Sequence, residues 1–202
     1  MNIQYHVYDL PDGLDISGDI AVDTEAMGLR IGRDRLCVVQ IADEHGRVHI
    51  VHFPSDKYDC KNLKALLSDV ERTKIFHFGR FDIAIMQYYL NIDFSNIYCT
   101  KIASRIARTY TEHHSLKELC NELLGIRISK QQQSSNWGAQ ALTKEQQNYA
   151  ANDVLHLHSI RVILDDMLVR EKRVDLAKKC FEFLPHRARL DILGWADDIF
   201  VH

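Results

Sequence analysis

No run of about 18 apolar residues occurs anywhere in the sequence, so no segment is expected to cross a membrane as a helix. The first residues, Met1-Asn2-Ile3-Gln4-Tyr5-His6, carry neither the basic flank nor the apolar core of a secretory signal, and a cytoplasmic protein is expected. Cysteines are few, odd in number and scattered. The five, Cys37, Cys60, Cys99, Cys120 and Cys180, include no C-x-x-C pair, which argues against a disulfide framework or a zinc knuckle and for buried thiols. An excess of positive charge is also missing. The formal net charge is −3, so the strong field that holds long nucleic acid through many phosphates is absent, and any nucleic acid bound should be short or gripped locally. No internal repeat, linker or low-complexity tract interrupts the chain.

The eleven histidines invite a metal reading that their spacing does not support. His113 and His114 are adjacent, and His156 and His158 lie two apart in an expected helix, where side chains point about 200° apart. Surface or packed histidines are the simpler reading.

At 202 residues, with 46% apolar and 26% charged, the chain is expected to form one domain spanning 1–202. Ile20-Ala21-Val22-Asp23-Thr24-Glu25 reads as a strand whose alternation puts Asp23 and Glu25 on one face. Two buried like charges repel and lose water, and a divalent cation bound by hard oxygens resolves the conflict. The plainer reading is a strand closing into a solvated turn. Leu36–Ala42 and Val48–Phe53, separated by Asp43-Glu44-His45-Gly46, form a hairpin pattern that continues an antiparallel meander. A helix over Asn62–Val70, a strand over Lys74–Phe78 and a helix over Phe81–Leu90 follow, implying a mixed sheet with helices packed on it. Asp82 falls in the first turn of the last of these helices, where the helix dipole alone would favour a carboxylate.

Two capping boxes, Ser115-Leu116-Lys117-Glu118 and Thr143-Lys144-Glu145-Gln146, open later helices, the first ending at Gly125. Between them residues 128–137 are polar and suit a rim beside a site. In the second helix Tyr149 and Asp153 share a face, and small Ala150 and Ala151 permit close packing. That helix is expected to continue through Leu168, and another from Val174 to Leu184 to stop at Pro185. The basic cluster from Arg170 to Lys179 reads as a solvated helical face. Residues 174–202 form a helical tail whose end, from His186 to Phe200, is unusually apolar, with Leu193, Trp195, Ile199 and Phe200, and suits packing against the domain or another subunit.

Three ordered segments, Ala21-Val22-Asp23-Thr24-Glu25, His77-Phe78-Gly79-Arg80-Phe81-Asp82 and Tyr149-Ala150-Ala151-Asn152-Asp153, resemble the exonuclease motifs of the DEDD superfamily. Tyr149 four before Asp153 matches its tyrosine subgroup, that of ribonuclease D; the histidine subgroup's position is held here by Asn148. The likeness extends through Ser115–Leu119 and Asn136-Trp137, covering roughly residues 18 to 165. Ribonuclease D carries further helical domains that this length does not hold, so the chain is more similar to the compact nano-RNase C type.

The resemblance implies an α/β, ribonuclease H-like mixed sheet flanked by helices. It further implies a metal-dependent 3′–5′ exoribonuclease acting on short single-stranded RNA, above all dinucleotides, with DNA not separated from RNA. Two Mg²⁺ or Mn²⁺ ions would be the cofactors. Asp23 would bridge both, Glu25 and Asp153 complete the site of the attacking water, and Asp82 hold the second ion partly through water. Tyr149 would orient the attacking water. Thr24, Leu29, His77, Arg108 and Tyr110 are the candidate substrate contacts, Leu29 as a wedge between two bases or as an ordinary packed leucine. A cap on the 5′ phosphate could draw on Arg105, Arg108, Tyr110, His113, Lys130 or a neighbouring subunit. A ring-shaped homo-oligomer is implied, an octamer among the counts allowed. A general trimming exonuclease and an inactive nucleic-acid-binding subunit are the alternatives.

Overall fold

Six strands form one mixed sheet in the order β1-β4-β3-β2-β5-β6. They are β1 (Asn2–Val7), β2 (Ile20–Ala26), β3 (Leu36–Ala42), β4 (Arg47–His52), β5 (Lys74–Phe76) and β6 (Ile97–Cys99). The computed structural model describes residues 2–128, 132, 134–195 and 199. The β2-β3-β4 meander is antiparallel, as the hairpin pattern requires, while β1 joins β4 in parallel and β5 and β6 extend the other side in parallel. β3 is buried along its whole length, which accounts for its unbroken apolar run, and with β2 it forms the centre of the core.

Seven described helices cover the sheet: α1 (Lys61–Ser68), α2 (Arg80–Leu90), α3 (Thr100–Ala107), α4 (Leu116–Leu124), α5 (Lys144–Leu155), α6 (Leu157–Arg170) and α7 (Val174–Ile192). Fully buried Ala150 and Ala151 let α5 lie close over β1 to β4. α7 runs against α2 and β6. Its end is tied to the start of α2 by Arg80, whose Nε and Nη2 donate to the two Asp191 oxygens at 2.7 and 2.6 Å. None of the described helices is long and apolar enough to cross a membrane.

Several expectations need correction. β1 was not foreseen: its inner residues Ile3 to His6 are half-buried on both faces, so it lacks the alternation that marks a strand. β6 and α3 are joined without a break, and Cys99, at the cap position before Thr100, gives no side-chain cap, leaving no start signal to read. α1 ends at Ser68, and Val70, placed on its apolar stripe, is 63% exposed. The helix holding Asp153 does not run on to Leu168, because His156 at φ −102° and ψ −3° separates α5 from α6. Apolar spacing continues across that joint and hides it. Pro185 does not stop α7 but sits inside it. The lost N–H and the ring clash cost about 3 kcal/mol, offset by burial of Phe181, Leu184, Pro185 and Ala188 along one stripe. Four cysteines are buried thiols, while Cys180 is only half-buried.

Candidate active site

At the C-terminal end of β2, alternation turns Asp23 and Glu25 to the same side, as read from the sequence. α5 brings Asp153 to meet them, and one carboxylate oxygen from each of the three lies within 4.8 Å of the others. Asp82 arrives in the first turn of α2, after the chain leaves β5 through Phe78 in the left-handed region at φ +63° and then Gly79. Phe78 was expected to belong to the strand. A Cβ on Gly79 would sit 2.6 Å from the Phe76 Cβ, so only glycine fits this close turn.

The acids are individually braced. Thr24 donates to Asp82 Oδ1 from its backbone N–H at 3.1 Å and from its hydroxyl at 2.6 Å. Thr24, expected as a substrate contact, here supports Asp82, leaving Asp82 Oδ2 free of this contact. Gln40, paired with Asp23 across the β2–β3 ladder, donates from Nε2 to Asp23 Oδ2 at 2.6 Å. Sequence reasoning missed Gln40; a fully buried polar side chain in a seven-residue apolar strand was the available signal.

Burial, followed by the charges of Asp82, Asp153 and Glu25, holds Asp23 well above the usual carboxylate range. Glu25 is pushed up to about 9 by burial and then by Asp153 and Asp82. Asp82 is raised to about 6 by burial, with the Thr24 bonds pulling the other way. Without a cation these groups are driven to hold protons. An all-oxygen donor set of this kind fits a hard divalent cation such as Mg²⁺ or Mn²⁺. Tyr149 is raised by burial and by Asp153, so at neutral pH it is a phenol that can donate or accept. Its ring leans on buried Trp137 at 6.0 Å between centroids.

These groups line a cleft of about 370 Å³ together with Leu29, His77, Phe78, Phe81, Lys101 and Lys117. Leu29 is 83% exposed, so it is not an ordinary packed leucine. Its loop is fixed by Asp34, whose Oδ2 accepts from the Arg30 N–H at 2.9 Å and would lie 2.4 Å from a Cβ on Gly28. Lys101 places its ammonium 3.8 Å from the centre of the exposed Phe78 ring. Lys101 was not singled out in the sequence, and Phe78 and Lys117, though inside quoted motifs, were given no role there.

The structure does not bring Arg108 to the cleft. It is buried, paired with Glu122, and donates to Ser104 Oγ at 3.2 Å and the His113 carbonyl at 3.0 Å. Tyr110, expected beside it as a substrate contact, receives an Arg108 Nε hydrogen bond at 3.3 Å and is likewise not among the described residues lining the cleft. Both serve the turn between α3 and α4. His113 is paired with Glu118 at 2.6 Å. Lys130 lies outside the described residues, as does Phe200 of the tail.

A sequence model of the 3′–5′ exonuclease family matches residues 7–169, and the chain belongs to that family. Within it the chain is a ribonuclease D-like DEDD exonuclease close to NrnC. It is similar to NrnC of Brucella melitensis in the form bound to pGG, with 46% identity, a TM-score of 0.95 and coverage of 100% of this chain and 99% of that one. It is also similar to the same protein with bound Mg²⁺, with 45% identity, a TM-score of 0.93 and full coverage of both chains. Ribonuclease D of Gluconacetobacter diazotrophicus is 32% identical over 156 residues, 77% of this chain but 39% of that protein. The chain therefore spans about two fifths of that curated relative's length.

Proposed function

We propose that the chain is a metal-dependent 3′–5′ exoribonuclease that acts on short RNA, with dinucleotides preferred, and releases 5′-mononucleotides. The observation that carries this reading is the meeting of Asp23, Glu25 and Asp153 in a cleft that an exposed Leu29 also lines. Similarity over the full chain to a protein solved with pGG and with Mg²⁺ supports it.

Asp23, Glu25, Asp82 and Asp153 would hold two divalent cations. When bound, such ions make an attacking water acidic and neutralise charge on the departing 3′ oxygen. The chain's own groups do the rest. Gln40 and Thr24 each fix one oxygen, of Asp23 and Asp82 respectively, and both acids line the cleft. Tyr149 holds the attacking water by hydrogen bonding, since its raised pKa unfits it to take the proton. Leu29 separates the two bases, and Lys101 and Lys117 offset phosphate charge in the cleft.

Hydrolysis of 5′-labelled two-, three- and seven-nucleotide RNAs with Mg²⁺ or Mn²⁺ tests the length preference. The dinucleotide should be cut fastest. Equal rates on all three, or preference for the longest, would replace this reading with a general trimming exonuclease.

Self-association belongs to the same proposal. Leu193, Trp195 and Ile199 are 60%, 57% and 51% exposed near the end of the chain, an apolar surface that a second copy would cover. Light scattering at micromolar concentration should give a mass above one chain; a monomeric mass would remove this part.

A further inference from the structure

His77 is fixed in one tautomer by a residue far away in sequence. Thr100, fully buried at the start of α3, has a single hydroxyl hydrogen, and its Oγ1 lies 3.1 Å from the Phe76 carbonyl oxygen, which can only accept. The Oγ1 lone pairs remain, and His77 Nδ1 lies 2.9 Å from them. With the hydroxyl hydrogen committed to that carbonyl, Nδ1 carries the proton and donates, leaving Nε2 as a bare lone pair on the opposite edge of the ring. His77 lines the cleft. Burial and the neighbouring Lys101 push its pKa down to about 3, so the ring is neutral when the enzyme works.

A neutral acceptor inside a site for a polyanion is informative. Phosphate oxygens only accept hydrogen bonds and gain nothing from it; the partner must be a donor on the substrate. Its placement narrows the choice. The parallel register of β2 and β5 pairs Ala21 with Ile75, so His77, one residue past β5, stands level with Asp23 on the adjacent strand. Adjacent strands are about 4.8 Å apart. A phosphate beside Asp23 has its own sugars within that reach, and their hydroxyls are donors.

We propose that His77, oriented by Thr100, accepts a hydrogen bond at Nε2 from a ribose hydroxyl next to the scissile phosphate and thereby selects RNA over DNA. This rests on the exonuclease reading above. His77 is the substrate contact and Thr100 the positioning residue.

The test compares kcat/KM for a diribonucleotide, its 2′-deoxy form and its 3′-deoxy form in wild type, His77→Ala, Thr100→Val and Thr100→Ser. Wild type should favour the ribose substrate over the 2′-deoxy form by roughly tenfold or more, because the site was built around that hydroxyl. His77→Ala should collapse that ratio, Thr100→Val should weaken it, and Thr100→Ser should keep it. The penalty on the 2′-deoxy arm should vanish in His77→Ala; a penalty that vanishes only on the 3′-deoxy arm, a hydroxyl that DNA shares, would overturn the selection of RNA. Equal losses on all three substrates, or an unchanged ratio, would overturn the inference while leaving the exonuclease reading intact. Failure of wild type to cut any ribose substrate would overturn that reading and this inference together. Nitrogen-15 NMR of the unmodified protein gives an independent answer: Nδ1 protonated and Nε2 bare is expected, and a protonated Nε2 contradicts the proposal even if the variants do not fold.

Discussion

An aspartate and a glutamate two positions apart on a strand share a face, and a third carboxylate from α5 closes the group. Asp23→Asn removes a charge from the centre of this set and should lower metal-dependent hydrolysis by roughly a thousandfold or more; activity within tenfold of wild type would deny Asp23 that place. Gln40→Leu keeps the size of a buried side chain but removes the donor to Asp23 Oδ2. It should weaken Mg²⁺ affinity by about 10- to 100-fold, read as a higher metal concentration for half-maximal rate, with the saturated rate much less changed. Tyr149→Phe keeps the ring contact with Trp137 and loses the hydroxyl. A fall in kcat of about a hundredfold with little change in KM is expected. At this scale the acids were legible because carboxylates at element ends demand an explanation. Gln40 and Thr100 were not, since their meaning lies in a partner 17 or 24 residues away.

Among the elements, those with chemical start and stop signals were readable. Both capping boxes form as spelled, with Ser115 and Glu118 and with Thr143 and Gln146 exchanging hydrogen bonds, and Gly125 ends α4 at φ +68°. Elements whose stability comes from tertiary contact were not: β1 at the sheet edge, the short β6 running straight into α3, and the stretch of α7 beyond Pro185. The loop bearing Leu29 illustrates how an element governs function. In Gly28→Ala the new methyl would meet the Asp34 carboxylate at 2.4 Å, forcing a shift that costs on the order of 1–3 kcal/mol. Dinucleotide kcat/KM should fall while metal affinity is preserved; a fall in metal affinity of the same size would place the damage at the acids instead.

For the molecule as a whole, the acids couple folding to pH. Asp82 at about 6 and Glu25 at about 9 lie above the unfolded values of about 4. The folded state therefore binds more protons than the unfolded one across that window, and metal-free stability is lost as pH rises through it. The metal-free melting temperature should drop between about pH 5 and about pH 8, and Mg²⁺ should restore it by binding only the folded form. A melting temperature that rises over this range would reverse the sign and refute the shifts. The sequence revealed the meander and the meeting of three distant motifs, because each motif ends a regular element. It did not reveal which cations face the cleft. Arg108 and Lys101 look alike as residues, yet one is buried in a turn and the other lines the cleft.

The account stands on the acids existing to hold divalent cations for hydrolysis. Its most direct test is electron paramagnetic resonance of Mn²⁺ titrated into the purified chain, wild type beside Asp23→Asn. Two ions bound per wild-type chain, with binding much weakened in the variant, is the expected result. No protein-bound Mn²⁺ in the wild type, or identical binding in both, would contradict it.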